Sequence, residues 1–213
     1  MSELSVEEAI FTTRSMRHLK PDPVPNEDLE FMVEAATMAP SAGNYQMWAF
    51  VVVTDPALIA QIGLAYAESG GIYIRDMVLA NPETPAEQQD IYGQAMYTVE
   101  NLSEAPAIVV ACLTQPCPDN AAAATGLLGS IYPAIQNLML AARSRGLGSV
   151  LLTLASDYCP IGNTTARPVR DIVGLPEGTG AVALIPVGYP VGAWGRPRRK
   201  DYREALHFNT WAS

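Results

Sequence analysis

Residues 126–146 read GLLGSIYPAIQNLMLAARSRG and run directly into LGSVLLT at 147–153, and these two segments decide the fold. Apolar residues recur at helical spacing on one side of the first segment, at Ile131, Ile135, Leu138 and Ala142, and on a second side at Leu127, Ala134 and Ala141. A helix that is apolar on more than one side belongs in a protein interior. We therefore predict a central helix buried between the core of this chain and another surface, such as a second subunit. An interior strand should follow Gly146 and Gly148.

The same region raises the question of a membrane span, because residues 120–142 carry no charge. Polar side chains and Pro133 interrupt this segment, so we expect no membrane contact. The acidic start, MSELSVEEA, lacks the apolar core of a secretory or organellar signal. Three cysteines, Cys112, Cys117 and Cys159, match no zinc spacing and are expected to be reduced thiols. A cytoplasmic protein is the resulting expectation.

Composition and charge limit the number of domains and the kinds of partner that this chain can have. The chain has 213 residues, 49% apolar and 16% charged, which suits one domain spanning residues 1–213. Its net charge of −9 disfavours nucleic acid as a partner. Most basic residues lie near the two ends, at Arg14, Arg17 and Lys20 and at Arg196, Arg198, Arg199, Lys200 and Arg203. Either the two clusters converge on one anion, since guanidinium groups bind phosphate bidentately, or they are separate solvated surface groups.

Local patterns predict the helices. Ser5 and Glu8 form a capping-box pattern for a short first helix that ends near Thr12 or Thr13. Asn26 can cap a second helix, and Pro56 can open a third that Ser69-Gly70-Gly71 should break. Further helices are expected to start at Thr84-Pro85 and at Asp119, and to cover Pro168–Val173 before Gly174. An irregular segment with turn residues Cys159-Pro160 and Gly162-Asn163 should separate the last two.

Three apolar runs predict interior strands, at Ala49–Val53, Ala107–Leu113 and Ala181–Val187. The polar loop 39–48 before the first strand either approaches a flat or charged ligand closely or simply connects helix to strand. Residues 72–101 are expected to form a lid or partner contact, or else a plain surface helix. The arm 191–213 carries Trp194, Phe208 and Trp211 and should pack on its own or a neighbouring subunit.

The motifs of several common chemistries are missing from the sequence. It contains no Gly-x-Gly-x-x-Gly, no Walker loop and no Gly-x-Ser-x-Gly. The only histidines, His18 and His207, have no second ligand at metal spacing, so no metal site is expected. Chemistry in this chain would therefore come from a bound cofactor.

Four short motifs follow one another along nearly the whole chain. They are Thr-Arg-Ser-Met-Arg at 13–17, Ala-Pro-Ser-x-x-Asn-x-Gln-x-Trp at 39–48, Gln-Asn at 136–137 leading to Gly-Leu-Gly at 146–148, and Pro-Val-Gly-Tyr-Pro at 186–190 before an arginine-rich stretch. In this order they resemble the nitroreductase family of FMN flavoproteins. The resemblance implies an α+β fold, an α/β sandwich whose mixed central sheet is flanked by helices. It also implies an intertwined homodimer with two FMN sites at the subunit interface.

Carried over by position, the resemblance assigns the cofactor site to four segments. Arg14, Ser15, Met16 and Arg17 would hold the flavin phosphate and the polar edge of the ring, with Arg14 or Arg17 near N1 and O2. Pro40, Ser41 and Asn44 would line the ring from the other subunit, and Leu152 and Thr153 would offer it backbone groups. Arg198 and Arg199 would reach the phosphate, although any of residues 196–200 could take this place. No catalytic side chain is required beyond the flavin itself.

Two positions depart from the pattern frequent in the family. Thr13 stands where many relatives have an arginine, and Met47 stands where proline is frequent. The first departure would weaken or redistribute the phosphate contacts. The second would change only the loop.

The resemblance implies hydride transfer from NADPH or NADH, through bound FMN, to an electron-poor small-molecule acceptor such as a nitroaromatic or a quinone. One alternative is a specialised enzyme of the same fold, a reductive dehalogenase or a flavin-fragmenting enzyme. Its lid over 72–101 would use polar residues such as Tyr73, Arg75, Tyr92 and Tyr97. The remaining alternatives are a non-catalytic flavin-binding or storage protein and an interaction module without a cofactor.

Overall fold

Four antiparallel strands form the central sheet of the protein. A computed structural model describes residues 4–116, 121–158 and 168–211, with the backbone alone at residues 121 and 122. The strands are β1 (Trp48–Val53), β2 (Ala107–Leu113), β3 (Gly148–Ser149) and β4 (Gly180–Gly188). They are arranged in the order β1-β2-β4-β3, so β2 and β4 occupy the centre. The four strands pair only antiparallel, so the expected mixed sheet is not found among the described residues, where parallel pairing is limited to an isolated bridge between Ser15 and Ser149.

Helices cover both faces of this sheet. They are α1 (Val6–Thr12), α2 (Asn26–Thr37), α3 (Pro56–Tyr66), α4 (Ala86–Asn101), α5 (Ala121–Ser144) and α6 (Val169–Ile172). Short 3-10 turns lie at Ala42–Asn44, Leu102–Glu104 and Tyr202–Ala205, and wide π-type turns at Ala67–Gly71 and Tyr73–Leu79. The expected α+β class, a sheet flanked by helices, is confirmed.

The alternation of side chains along β2 sorts the core into two layers. Val109 and Ala111 pack with α2 and α5 on one face, whereas Ile108 and Val110 pack with α3 and α6 on the other. Every residue of β2 and of β4 is buried, because helices cover both faces of these strands. The predicted interior strands at 107–113 and 181–187 are therefore confirmed. The strand predicted at 49–53 is β1, which lies at an edge of the sheet and is only partly buried, rather than in the interior.

The predicted central helix is α5. Its two apolar sides are buried, with Ile131, Ala134, Leu138 and Ala142 fully enclosed. Asn137 ties the helix to α2, because its Nδ2 donates to the carbonyl oxygen of Ala35 at 3.2 Å. A third side is exposed along Thr125, Gly129, Tyr132 and Gln136. No helix within the described ranges has the length and apolar character that a membrane crossing requires.

Two predictions, an interior strand after Gly146 and a helix end at 69–71, are wrong because of how these segments pack. The segment after Gly146 forms only the two-residue edge strand β3 rather than an interior strand, and Leu152 adds one isolated bridge to Leu184. The glycines of 69–71 do not end the helical path, which continues in wide turns to Leu79. A Cβ on Gly70 would lie 2.9 Å from Leu154 Cβ, and one on Gly71 would lie 2.7 Å from Val99 Cγ1, so these glycines serve close packing.

The helix starts agree with the sequence at three places and differ at one. Ser5 caps α1, accepting from the Glu8 N–H at 3.1 Å, and Asp55 caps α3, accepting from the Ala57 N–H at 2.8 Å. Pro85 precedes α4 as expected. Asn26 is the first residue of α2 rather than its cap, since Pro25 occupies the cap position. The predicted start at Asp119 and the turns at 159–163 lie outside the described residues.

We expect Gly148 to be required for the attachment of the N-terminal segment to the sheet. A Cβ at this position would lie 2.8 Å from Met16 Cβ and 3.0 Å from Pro190 Cβ. Overpacking of this kind should lower the free energy of unfolding of Gly148→Ala by about 1–3 kcal/mol. The control Gly93→Ala lies in α4 with nothing within 4 Å of its Cβ. It should raise that free energy by about 0.5–1 kcal/mol, because alanine favours helix. Urea unfolding measures both, and a Gly148→Ala variant as stable as the parent would contradict the close contact.

Candidate functional site

The turn that carries Arg14, Ser15 and Arg17 is fastened to the edge of the sheet. The Met16 N–H donates to the Ser149 carbonyl oxygen at 3.0 Å, and Ser15 forms the parallel bridge to Ser149. Met16 is 5% exposed, so its side chain anchors the turn in the core rather than facing a ligand. Because side chains alternate along this extended segment, Ser15 and Arg17 point away from Met16.

Arginines from both ends of the chain line one cleft of about 500 Å³. Arg14 comes from the N-terminal turn, and Arg196 and Arg199 come from the arm. The remaining lining residues are Ile10, Phe11, Thr13, Ser15, Gln136, Met139, Pro197 and Tyr202. None of these carries a carboxylate, and within the described ranges none of the three arginines forms an ion pair. The cleft is therefore a concentration of positive charge in a chain of net charge −9.

Two contacts hold the walls of the cleft together. Arg14 Nη2 donates to the Ala193 carbonyl oxygen at 3.0 Å, which joins the N-terminal turn to the arm. The Arg196 guanidinium carbon lies 4.7 Å from the centre of the Phe11 ring on α1. Both arginines retain N–H groups beyond these contacts, since a guanidinium carries five donors. The cleft can therefore present several donors to one anion.

The arm distributes its arginines between two directions. Arg199 faces the cleft and donates from Nη1 to the Arg198 carbonyl oxygen at 2.8 Å. Arg198 lies against α4 instead, with its Nη1 3.7 Å from Glu87 Oε1. Of the two arginines assigned to the phosphate from the sequence, the structure places only Arg199 with Arg14. Arg196, one of the candidates left open over 196–200, also lines the cleft, and an irregular arm has no periodicity that tells which arginine points inward.

Arg17 is a half-buried cation with no ion pair or hydrogen bond within the described part of the chain. It lies between two smaller cavities of about 150 Å³ each, one shared with Arg14 and Ser15 and one with Tyr97 and Thr98. Burial lowers the pKa of Arg17, and interaction with Tyr66 opposes the shift. Burial raises the pKa of Tyr66 to about 12, so Tyr66 is neutral at pH 7 and supplies no counter-charge. A partly desolvated cation of this kind favours a ligand with acceptor atoms.

The loop containing Pro40, Ser41 and Asn44 opens on a different cavity, of about 390 Å³, beside α5. Its α5 wall ends at Ser130, six residues or about 9 Å along the helix from Gln136 in the arginine cleft. Within one chain the loop therefore does not meet the arginines. Its contribution to the site of a second subunit stays a prediction.

The backbone of this loop is unusual. Gly43, Asn44 and Gln46 have φ values of 58°, 55° and 52°, in the left-handed region that residues with a Cβ rarely adopt. Ser41 Oγ stabilises the turn by accepting from the Gln46 N–H at 3.2 Å, and Gln46 Nε2 donates to Asn44 Oδ1 at 3.2 Å. Strained backbone of this kind is concentrated at functional sites.

Other residues singled out from the sequence occupy varied positions. The N–H and C=O of Leu152 both bond to Leu184 at 2.9 Å, so Leu152 has no backbone N–H left for a ligand, whereas Thr153 is half-buried beside it. Among the lid candidates, Tyr97 stacks on His18 with ring centres 3.7 Å apart. Tyr73 and Tyr92 pack into the core, and Arg75 is exposed.

Neither metal nor thiol chemistry is indicated in the described ranges. No group of three or more His, Cys, Asp or Glu side chains there could hold a metal ion. Burial raises the pKa of the Cys112 thiol to about 12, and the nearby Asp157 adds to the shift. The thiol is therefore protonated and unreactive at pH 7. Cys117 and Cys159 lie outside the described residues.

Comparison with known proteins decides the family. The model of the nitroreductase family matches residues 10–189. The chain belongs to the nitroreductase family. It is therefore an oxidoreductase, and the resemblance drawn from the four motifs is confirmed.

Similar proteins of the nitroreductase family have names that describe different reactions. An NADH dehydrogenase of Thermus thermophilus is 31% identical over 193 residues, covering 88% of this chain and 87% of the relative. A 5,6-dimethylbenzimidazole synthase of Rhodospirillum rubrum is 32% identical over 186 residues, covering 83% and 78%. A crystal structure of iodotyrosine deiodinase bound to FMN and 3-iodo-L-tyrosine has the same fold, with a TM-score of 0.71 at 23% identity, covering 97% of this chain and 100% of that one.

We expect Arg199 but not Arg198 to contribute to anion binding in the cleft. A hydrogen bond to a charged group contributes about 1.5–3 kcal/mol, so Arg199→Gln should weaken the binding of inorganic phosphate by about tenfold or more. The adjacent control Arg198→Gln makes the same charge change on the side of Glu87 and should leave phosphate binding within about twofold of the parent. The phosphate-dependent rise of the unfolding temperature measures both. Equal losses in the two variants would contradict the separate directions of the side chains.

We expect the left-handed backbone at Gln46 to determine which residues this position tolerates. Gln46→Gly removes the Cβ and should change the free energy of unfolding by less than about 1 kcal/mol, since relief of strain offsets the greater flexibility of glycine. Gln46→Val should cost about 1–2 kcal/mol more than the glycine variant, because a branched side chain fits this φ poorly. Thermal unfolding compares them. A valine variant at least as stable as the glycine variant would show that the loop is not strained.

Proposed function

We propose that this chain is an FMN-dependent oxidoreductase that takes hydride from NADPH or NADH and passes it to an electron-poor acceptor such as a nitroaromatic or a quinone. The observation that carries the proposal is the convergence of Arg14, Arg196 and Arg199 on one cleft without a carboxylate. When bound, FMN supplies the hydride-accepting and hydride-donating chemistry. The residues of this chain bind it, orient it and set the electrostatics around it.

The residues of the cleft fit a phosphate group. Arg14, Arg196 and Arg199 would donate to the phosphate oxygens, and the exposed Ser15 adds a hydroxyl at the same place. Thr13 lines the cleft but donates its hydroxyl to the Ala9 carbonyl oxygen at 2.7 Å, so it does not replace the arginine frequent in the family. Arg196 supplies a guanidinium in the same cleft. This supports a redistribution of the phosphate contacts rather than their loss.

Arg17 is placed to serve the ring rather than the phosphate. It follows Ser15 by two residues along the turn and is half-buried, whereas Arg14 is exposed. In the proposed complex Arg17 would donate to the N1 and O2 edge and stabilise negative charge on the reduced ring. A cation held in a partly dry site stabilises such charge more strongly than one in water.

A homodimer is part of this proposal. Phe208 and Trp211 are 77% and 85% exposed at the end of the arm, which is unusual for aromatic residues of an isolated chain. The exposed side of α5 and the loop that opens away from the arginine cleft also suit a second subunit. In this proposal residues 1–213 form one FMN-binding domain, with 72–101 as its lid and 191–213 as an arm that reaches its partner.

The relatives also suggest a second kind of electron acceptor. The relatives include a dimethylbenzimidazole synthase and an iodotyrosine deiodinase, so a specialised acceptor is the second candidate. The observation that favours it is the position of α4, whose Gln94 lines a cavity with Arg17 and whose Tyr97 stacks on His18. A helix in this place would select acceptors by shape.

The test combines cofactor binding with turnover. Arg14→Ala should lower the affinity for FMN by about tenfold or more, since it removes a charge-assisted contact, and should leave the dimer intact. Arg170→Ala removes a cation from α6, where it pairs with Asp171 at 3.5 Å, and should change neither. Flavin absorbance after gel filtration measures retention, and NADPH or NADH oxidation with a quinone or nitroaromatic measures activity.

Each outcome separates the alternatives. A yellow protein that oxidises NADPH or NADH with such an acceptor supports the proposal. A yellow protein that never turns over with any acceptor would favour a storage role. A protein that takes up no FMN even on reconstitution would overturn the proposal.

A further inference from the structure

Arg143, near the end of α5, is a buried arginine outside the cleft. It is 7% exposed and does not line any of the cavities described above. Its Nε donates to Thr12 Oγ1 at 3.0 Å, and its Nη2 lies 3.5 Å from Glu8 Oε1, both on α1. Its guanidinium carbon lies 4.2 Å from the centre of the Trp194 ring in the arm. One side chain of the rigid central helix therefore contacts both ends of the chain.

The contacts of Arg143 compensate for the burial of its charge. A buried cation destabilises a fold unless polar groups surround it, and Arg143 has a hydroxyl, a carboxylate and an aromatic face. Thr12 is in turn held by its own hydroxyl, which donates to the Glu8 carbonyl oxygen at 2.6 Å. The Trp194 ring covers the guanidinium and is itself half-buried. The Arg143 guanidinium therefore has partners on three sides, in Thr12, Glu8 and Trp194.

The two segments that this cluster joins are the ones that carry the cleft arginines. Thr12 precedes Arg14 by two residues, and Trp194 precedes Arg196 by two residues. The arm from residue 192 to residue 200 has no helix or strand of its own. The contacts that hold it include Arg14 with Ala193, Arg196 with Phe11, and Trp194 with the buried Arg143. Release of Trp194 would let Arg196 and Arg199 move away from Arg14.

We propose that Arg143 is a positioning residue for the phosphate group of the cofactor, acting through Trp194 and Thr12 rather than by touching the ligand. The inference rests on the proposed function, since it assumes that the cleft binds the FMN phosphate. Loss of the cluster should therefore weaken binding of the phosphate group and leave binding of the flavin ring unchanged. A role in overall stability alone would weaken both.

The chain provides a matched control two residues away. Arg145 directly follows α5 and is exposed, forms an ion pair with Asp28 at 3.5 Å and has its guanidinium carbon 4.1 Å from the centre of the Phe31 ring. Its partners belong to α2 rather than to the cleft segments. Substitution of Arg145 therefore removes the same kind of contacts without disturbing the arm.

The experiment compares the dissociation constants of FMN and riboflavin, which differ by the phosphate alone. In Arg143→Met and in Trp194→Leu, the FMN constant should rise about tenfold, which corresponds to about 1.4 kcal/mol, while the riboflavin constant stays within about twofold. Trp194→Phe keeps an aromatic face and should restore most of the FMN affinity. Arg145→Met should leave both constants within about twofold. Trp194→Leu serves as the second route if Arg143→Met does not fold.

Two results would overturn the inference. Equal weakening of FMN and riboflavin in the Trp194→Leu variant would show that the cluster acts only on stability. Dissociation constants that both stay within about twofold of the parent in that variant would show that the arm is positioned by other contacts. Failure of the parent protein to bind FMN is a distinct result, which overturns the proposed function together with this inference.

Discussion

The hydrogen bond from the Met16 N–H to the Ser149 carbonyl oxygen is the link on which the site depends. It attaches the N-terminal turn to the sheet edge, and the missing side chain of Gly148 allows Met16 to approach closely enough to form it. Because Met16 is buried, its neighbours on the turn must face outward. The position of Arg17 therefore follows from the burial of Met16, whereas Arg14 is held by its own hydrogen bond to the Ala193 carbonyl oxygen.

The site separates two electrostatic environments along one short turn. Arg14 is exposed and shares an open cleft with Arg196 and Arg199, where several cations can bind one dianion. Arg17 is half-buried beside Tyr66, where water screens its charge less. A cofactor with a doubly charged group at one end and a polarisable ring at the other matches this pair of environments. The arrangement of charge thus agrees with membership of the nitroreductase family.

The sequence predicts a helix or strand correctly where its apolar pattern is compatible with only one secondary structure. Seven consecutive apolar residues at Ala107–Leu113 form an interior strand with the predicted bounds. Gly70 and Gly71 predict a helix break but serve close packing instead, because a missing side chain signals a break and a close contact equally well. Arg14, which the family motif assigns to the cofactor, lines the cleft, whereas the presence of Arg196 there depends on its stacking on Phe11. Contacts between distant segments leave no periodic trace in the sequence.

The first helix, α1, buries little apolar surface against the rest of the fold. Ala9 is its only buried residue, and Val6, Ile10 and Phe11 are 75%, 53% and 47% exposed. Segments with so little buried apolar surface open at a low free-energy cost while the remainder stays folded. An anion bound between α1 and the arm would contact both segments and so suppress this local unfolding. Anion binding should accordingly stabilise α1 and the arm together, as one cooperative unit.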